Sequence, residues 1–524
     1  MLSKQKILLG VLMVEIALLL YFSENVSLSS FKSYSQDSSF EEPSSLMPQT
    51  ETVTSYYDAL LKAPLIVSQT AIVGAVFSHI FFQRAIRNHF QFSRKKDNTY
   101  AAILVDTNII HPPLKRLLFV LLSCGIVTLF SATSLFLLQA LSLSSELGMD
   151  LSTTFTILSA TPVGPVWNIR VMTSLIIIAS SILYYIFEKK SSTKKGQTGQ
   201  MSNDSSYSSP QKKMIESKGS ALSRSLLYVV ILAGAISIFS NSMVSHNTAL
   251  SFLPSLAISL DWFHFMAVSI WLGGLFYISS ILLMTIRSSI RKDGNIDGTL
   301  RKSIDVNTVP ITSYFLALLL PYFSLIATIS LGIIGVTGLY MAWIHLHTAE
   351  AIFTSSYGNI LAIKLLLILP MIILGGYHQI KLHGSLMTIA NLSKGGQEQQ
   401  GEKINAYSME SSDGHKTGLP PKFNPSGKFS KTIKIESLIG IGVLVAASFL
   451  TITSPPSISL QESTSTQSSL GEIPQQDYIP SFDSFTILTI ILSIAVIFGS
   501  IFYFGKSKQQ VRNTIIYFDG IGSR

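Results

Sequence analysis

An acidic and a basic side chain stand one helical turn apart inside a strongly apolar stretch of this sequence. Residues 261–274 read DWFHFMAVSIWLGG, so Asp261 and His264 lie at the start of an apolar run that continues to Met284. Residues three apart share one face of a helix. An ionisable side chain in a bilayer costs about 2.5–3.5 kcal/mol on insertion scales and commonly marks a functional site. The pair is therefore the first candidate for a binding site.

Histidines and methionines also occur at the ends of two neighbouring apolar runs. The further candidates are His246, His345, His347, Met243 and Met341, with Met266 following His264. Imidazole suits copper and zinc, and thioethers suit Cu(I). The single cysteine, Cys124, lies within an apolar run, so no thiolate cluster for zinc can form. The set predicts a copper site, in which Asp261 is a ligand or orients a ligand histidine.

Each candidate also has an ordinary structural explanation. Surface exposure explains a histidine at a water boundary, and packing explains a methionine. Asp261 and His264 alternatively form a hydrogen-bonded pair between helices. His79 and His378 lie near the opposite ends of their runs, as a second metal site or as interfacial histidines. Arg170 and Lys364 either extend to the interface or pair with Asp261 or Glu350, as structural or gating residues.

The composition requires a membrane. Of the 524 residues, 48% are hydrophobic and only 13% are charged, and the mean hydropathy is +0.43. Uncharged runs of about 20 residues cross a bilayer as helices. The sequence predicts an all-α, polytopic transmembrane helix bundle with about ten spans, near residues 7–22, 65–83, 117–141, 166–187, 225–243, 258–286, 311–344, 358–380, 433–453 and 485–504.

The distribution of charge predicts how the spans are oriented. Lysine and arginine concentrate in alternate loops such as 84–116 and 188–224, whereas 142–165 and 454–484 contain acids and no base. Basic loops face the cytoplasm, which places both termini there in a multi-pass plasma-membrane protein. The same pattern explains the net charge of +9 without a nucleic-acid partner. The lipid bilayer is the predicted surrounding.

Polar segments divide the chain into five parts. These are an anchor helix with an acidic outer segment (1–63), a first group of transmembrane helices (64–190), a disordered cytoplasmic linker (191–220), a transmembrane domain (221–456, with a polar cytoplasmic loop at 391–430), and an outer linker with a last helix and a basic tail (457–524). No small-residue cleavage site follows the first run, so we expect it to stay attached. The polar segments are too poor in apolar residues to form soluble domains, so function belongs to the bundle.

Five segments in order resemble the copper-resistance protein D (CopD) family of inner-membrane proteins. They are SHNTAL, DWFHFMAVSIWLGGL, TGLYMAW, SSYGNILAIKLLLILPMIILGGYHQ and IKIESLIGIGVLVAASFLTITSPP. The resemblance covers 221–456 and reaches back more loosely to about 65. It implies about eight membrane helices and a role in moving or handling copper. By position it points to His246, Asp261, His264, Trp271, Arg170, Lys364 and Glu436.

The resemblance also implies a partner. Some members of the family carry a fused extracytoplasmic copper-binding β-domain, for which residues 23–63 are too short and lack a His/Met cluster. A separate extracytoplasmic copper carrier would then deliver the ion.

The leading hypothesis from the sequence is a copper permease that imports copper through the His/Met/Asp site, and not an enzyme. The chain has no Walker motif, no DKTGT-like run and no CxxC, which disfavours an ATP-driven pump. Two alternatives stay open. One is a b-type haem electron-transfer protein with paired histidines as axial ligands. The other is a non-transporting assembly or sensing subunit of a copper enzyme.

Overall fold

A computed structural model describes the chain over 51–93, 114–161, 163–198, 210–249, 254–284, 301–346, 348–379 and 425–457, with the isolated positions 491, 505 and 509. The chain divides into two units, Met1–Thr54 and Ser55–Arg524. The sites described below all lie in the second unit. Within the described ranges every regular element is a helix, which confirms the all-α prediction there.

Ten α-helices follow one another along the described chain. They are α1 (Glu51–Ser93), α2 (Leu114–Leu147), α3 (Leu151–Ala160), α4 (Val163–Thr198), α5 (Pro210–Ser242), α6 (Pro254–Phe276), α7 (Arg301–Leu346), α8 (Ala351–Thr354), α9 (Ser356–Tyr377) and α10 (Pro425–Leu450). A 3₁₀ turn at His246–Ala249 follows α5, and α6 continues as a π-helix at Tyr277–Leu282.

Eight of these helices are long and apolar enough to cross a membrane, namely α1, α2, α4, α5, α6, α7, α9 and α10. Each overlaps one of the predicted spans from the second to the ninth. The predicted first and tenth spans, at 7–22 and 485–504, lie outside the described residues apart from single positions. The total of ten spans and the cytoplasmic location of both termini therefore stay predictions.

Helices extend further into the polar segments than the sequence predicted. Helix α4 continues to Thr198 and α5 begins at Pro210, so helix occupies both ends of the segment 191–220 that the sequence predicts as a linker. Helix α1 begins at Glu51, before the predicted boundary at 64, and α10 begins at Pro425, inside the predicted loop 391–430. Once a helix has formed, each added residue gains a hydrogen bond, and polar residues prolong it readily.

The outer segment 142–165 contains a short helix, α3, that the hydropathy pattern missed. Asp150 precedes α3 and accepts hydrogen bonds from the backbone nitrogen of Thr153 (3.1 Å) and from its Oγ1 (2.6 Å). These bonds lower the pKa of the exposed Asp150 carboxyl. The Phe155 ring of α3 stacks on Phe136 of α2 at a centroid distance of 5.7 Å. An aspartate three residues before a threonine was the available N-cap signal.

One apolar core joins the central helices. Ile72 of α1, Val230 of α5, Leu275 of α6, Ala317 of α7 and Ile433 of α10 are all fully buried within it. Apolar side chains are exposed on the outside of the bundle, among them Phe119, Phe130, Leu366, Ile373 and Leu438. An apolar exterior suits contact with lipid, whose interior is as apolar as these side chains.

Glycines let α1 and α6 touch backbone to backbone. A Cβ at Gly273 would lie 2.6 Å from the Cα of Gly74 and 2.5 Å from the carbonyl oxygen of Thr70. A Cβ at Gly74 would overlap the carbonyl oxygen of Ser269. Small residues are the usual means of such close approach in membranes. The crossing fixes α6, which carries Asp261 and His264, against α1.

Candidate metal site

Four helices bring polar side chains together at one end of the bundle. Helices α5 and α7 end there, and α6 and α9 begin there. The charge pattern of the loops predicts that this end faces outward, and we call it the outer end after that prediction. The opposite end, where α9 ends and α10 begins, is called the inner end.

Asp261 is the acidic member of this outer group. It lies in the second turn of α6 and is partly exposed. Ser242 and Ser245, from the end of α5, place their side chains beside its carboxyl group, and Lys364 of α9 supplies a nearby opposite charge. Ser242 Oγ is itself fully buried without a hydrogen bond of ordinary geometry. Lys364 is therefore near enough to interact electrostatically with Asp261, and its predicted pairing with that carboxylate stays a prediction.

His264 lies one turn further along α6 and is held in a defined orientation. Its Nδ1 is 2.8 Å from Thr337 Oγ1 on α7, and that hydroxyl donates to the carbonyl oxygen of Ile333 at 2.6 Å. A hydroxyl has a single proton, so Thr337 accepts at its oxygen and His264 donates from Nδ1–H. The neutral ring then carries its lone pair on Nε2, the form of imidazole that binds a metal.

The surroundings of His264 leave room for the ring. Its side chain is 9% exposed, and the backbone of Ile334 lies within hydrogen-bonding reach of the ring. A Cβ at Gly338 would lie 3.3 Å from Cε1 of His264, so the glycine provides space beside the ring. Lys364 is near enough to interact electrostatically with His264 as well as with Asp261. Asp261, His264 and Lys364 thus form one charged group, which we call the outer triad.

His345 is a buried residue and not a solvated one, which corrects the surface interpretation. It is 3% exposed, and its Nε2 lies 3.0 Å from Oδ1 of Asn247 in the 3₁₀ turn. Its ring meets Tyr357 of α9 edge-on at a centroid distance of 5.9 Å. Tyr357 in turn interacts electrostatically with Asp261. His347 lies outside the described residues.

His246 has different neighbours. It opens the 3₁₀ turn after α5, and its Nε2 is buried without a hydrogen-bond partner in the described structure. Burial lowers the pKa of His246, and the nearby charge of Lys62 on α1 lowers it further. Met243, Met266 and Met341 are each partly buried.

The structure therefore brings together part of the predicted ligand set. Asp261 and His264 share the outer triad, whereas His246 and His345 contact other partners. Among the described residues, no group of three or more His, Cys, Asp and Glu side chains lies close enough to hold a metal ion. This absence concerns neither the methionine side chains nor His347. A copper site completed by thioethers stays a prediction.

Arg170 belongs to a separate network that joins three helices. On α4, its Nε donates to Ser240 Oγ at 3.1 Å and its Nη2 donates to Asn241 Oδ1 at 3.0 Å, both at the end of α5. Asn241 Nδ2 donates to Gln69 Oε1 of α1 at 2.7 Å, and Gln69 Nε2 returns to Ser237 Oγ at 2.8 Å. The predicted pairing of Arg170 with Asp261 or Glu350 does not occur in these contacts. Gln69 and Asn241 were missed, although amides inside apolar runs were a visible signal.

The inner-end histidines also contact protein groups. His378 Nε2 is 2.7 Å from Thr432 Oγ1 on α10, and His378 Nδ1 is 3.4 Å from Oε2 of Glu436, which is 1% exposed. Burial lowers the pKa of His378 to about 4. His79 Nδ1 is 3.1 Å from the Tyr277 hydroxyl in the π-helical turn. His79 and His378 thus contact different partners. The structural or gating role predicted for Glu436 stays a prediction.

Trp271, the remaining residue taken from the resemblance, packs in the central core. It is 4% exposed and lies two residues before the Gly273 crossing. Its position indicates a packing role that supports the helix carrying the outer triad.

Comparison with known proteins adds a match to one family over part of the chain. The sequence model described as copper resistance protein D matches residues 317–408. This match supports the CopD family assignment. It includes most of α7 with Thr337 and His345, and all of α9 with Lys364, while Asp261 and His264 precede it. No curated protein and no solved structure matches the chain.

The CopD match and the eight apolar helices together support a multi-pass membrane protein that handles copper. The donor atoms of the outer triad are therefore compared with those that copper binds. Imidazole nitrogen and carboxylate oxygen both occur among copper ligands, although the softer Cu(I) prefers imidazole and thioether. Asp261 and His264 each carry a donor atom of a type found among copper ligands, and no third His, Cys, Asp or Glu joins them within the described residues.

Proposed function

We propose that this CopD-family protein is a copper permease that imports copper, and that His264 is the first ligand within the membrane. The observation that carries the proposal is the orientation of His264. Thr337 occupies Nδ1 at 2.8 Å, which places the lone pair of the neutral ring on Nε2. A buried imidazole whose tautomer is fixed by a second residue is the usual arrangement of a histidine ligand.

Asp261 and Lys364 give the site its charge balance. Without copper, the ammonium of Lys364 compensates the carboxylate of Asp261. An arriving copper ion competes with that ammonium for the carboxylate, and the long side chain of Lys364 lets it move away. Copper binding thus replaces the ammonium of Lys364, which is attached to the chain, with a copper ion that can leave the site.

The membrane potential gives the direction. A monovalent cation gains about 2.3 kcal/mol for each 100 mV that it crosses. An inside-negative potential therefore drives copper inward without ATP. His246, His345, His347, Met243, Met266 and Met341 are proposed as further donors along the entry path, and a separate extracytoplasmic carrier as the source of the ion.

The two alternatives stay predictions from the sequence. A b-type haem needs two imidazoles on opposite faces of the ring. In the described residues His79 is bonded to Tyr277, and His378 is bonded to Thr432 beside Glu436. Those contacts favour a structural role for the inner histidines. A non-transporting subunit would keep the outer triad without moving copper.

Copper uptake into proteoliposomes tests the proposal. We expect the native protein to accumulate Cu(I) under an inside-negative potential, at a rate that falls when the potential is removed. We expect His264→Ala to abolish the uptake, and Thr337→Ser, which keeps the hydroxyl, to retain it. Native protein that moves no copper would point to the scaffold alternative, and a Soret band would point to haem.

A further inference from the structure

A groove between α9 and α10 opens on the surface of the inner end, away from the outer triad. Its volume is about 440 Å³, and it is lined by Ile373, Leu374, Tyr377, Lys428, Lys431 and Thr432. Pockets of about 300–1,000 Å³ are typical of small-ligand sites. The groove is therefore large enough for part of a lipid or a similar small molecule.

The groove lining is basic at one end and apolar deeper along α9. Lys428 and Lys431 are exposed near the start of α10, and Tyr377 ends α9 beside them. Ile373 lies one turn before Tyr377, about 6 Å deeper along the helix. Ile373 is 71% exposed, so the deeper wall presents apolar surface to its surroundings. A cationic rim thus continues into an apolar wall.

The charge of the rim selects an anionic occupant. Among the described residues, no acidic side chain lines the groove. Glu436 of α10 is 1% exposed and contacts His378. Thr432 is bonded to His378 and to its own helix, so Lys428 and Lys431 are the basic residues of the lining.

We propose that this groove binds an anionic phospholipid, with the phosphate headgroup between Lys428 and Lys431 and an acyl chain along Ile373 and Leu374. Basic pockets between membrane helices on the cytoplasmic side bind anionic headgroups, and a tyrosine at the interface suits the headgroup level. The bound lipid joins α9 to α10, the two helices that also meet through His378 and Glu436. The proposal does not depend on copper transport.

Native mass spectrometry of the full-length protein in detergent tests the proposal without copper. Phosphatidylglycerol and phosphatidylcholine with identical acyl chains are added at equal concentrations. We expect a preference for phosphatidylglycerol adducts. We expect Lys428→Gln and Lys431→Gln each to lower that affinity about five-fold, the effect of one lysine on an anionic membrane surface. Lys434→Gln is the matched control, because Lys434 is exposed on the same helix but does not line the groove.

The outcomes separate the groove from its alternatives. An equal loss in Lys434→Gln would show attraction by general surface charge and would overturn the proposal. Equal binding of both lipids by the native protein would overturn it as well. Ile373→Ala distinguishes the lipid from a free phosphate: we expect weaker phosphatidylglycerol binding with unchanged binding of glycerol phosphate. Full displacement of the lipid by glycerol phosphate at equal concentration would contradict a site that needs the acyl chain.

Discussion

The outer and inner ends of the bundle each hold a histidine bonded to a threonine whose hydroxyl donates to its own helix. At the outer end His264 Nδ1 meets Thr337, which donates to Ile333. At the inner end His378 Nε2 meets Thr432, which donates to Lys428. The difference lies in the charged neighbour: His378 Nδ1 faces Glu436 at 3.4 Å, whereas the charged group near the His264 ring is Lys364.

This difference separates a packing histidine from a candidate ligand. Both rings are buried, and burial alone would not distinguish them. Glu436 contacts His378 between α9 and α10, whereas Lys364 places a positive charge near His264. The account predicts that copper binding depends on the outer end and that the inner end contributes to stability.

The largest expected effect comes from breaking the charge balance of the outer triad. Lys364→Met leaves Asp261 without its compensating charge. We expect the free energy of unfolding to fall by about 3 kcal/mol, the lower end for broken buried ion pairs, because both residues are only partly buried. Unfolding in detergent measures the change. Adding Asp261→Asn should recover most of the loss, and a double variant as unstable as Lys364→Met would contradict the pairing.

Acid should destabilise the inner end. The pKa of His378 is about 4 in the folded protein and about 6.5 when unfolded, so the unfolded chain binds more protons between these values. The contribution of neutral His378 to stability is then fully present above pH 6.5 and is lost as the pH drops toward 4, by up to about 3 kcal/mol. We expect His378→Gln to flatten this dependence. The pKa of His246 is also lowered, so this residue contributes to the pH dependence of stability in the same direction. We expect the slope that remains in His378→Gln to disappear when His246→Gln is added. An unchanged slope in His378→Gln would oppose this assignment.

Removing each threonine hydroxyl sharpens the contrast between the two ends. Thr337→Val leaves Nδ1 of His264 without an acceptor and frees the ring to change tautomer. Loss of such an orienting partner lowers metal affinity about 10- to 100-fold. Thr432→Val should leave copper affinity unchanged and lower stability by about 1–3 kcal/mol, since it leaves a buried donor unsatisfied. Competition titration with a Cu(I) chelator measures both affinities. Equal losses of affinity in the two variants would contradict a copper site confined to the outer end.

The smallest effect should come from added methyl groups. A Cβ at Gly338 would lie 3.3 Å from the His264 ring, whereas a Cβ at Gly375 would lie 3.8 Å from Glu436 Oε1, an ordinary contact. We expect Gly338→Ala to lower copper affinity about five-fold, the equivalent of a mild overpacking of about 1 kcal/mol. Gly375→Ala should bind copper as the native chain does. The same titration checks both variants, and a larger effect from Gly375→Ala would go against the account.

The sequence predicted the spans and the outer candidates for clear physical reasons. Apolar runs bounded by charge mark the eight spans found, and Asp261 with His264 was visible because both are costly in lipid. The sequence did not predict Thr337 or Tyr357 as neighbours of the outer triad, because hydropathy does not tell which helices pack together. For the same reason the sequence did not show that the hydrogen-bond partner of His345 is Asn247.

The hydrogen-bond network of Arg170 also depends on which helices pack together, and hydropathy does not show this. Arg170 carries a charge that suggests a carboxylate partner, yet it bonds the serine and amide groups of Ser240 and Asn241. The uncharged polar side chains inside the spans were not singled out from the sequence, and they form the hydrogen bonds of this network. The short helix α3 escaped for another reason, because its 10 residues are too few to form a membrane span.

The most direct test of the central claim is the amount of Cu(I) bound by the purified protein in three forms: native, His264→Gln and His378→Gln. Quantitative metal analysis after removal of free copper gives the stoichiometry, and X-ray absorption at the copper edge reports nitrogen ligands. The account predicts that His378→Gln retains the native copper content and nitrogen coordination, whereas His264→Gln loses both. Equal copper content and identical spectra in all three forms would contradict the assignment of His264 as a ligand.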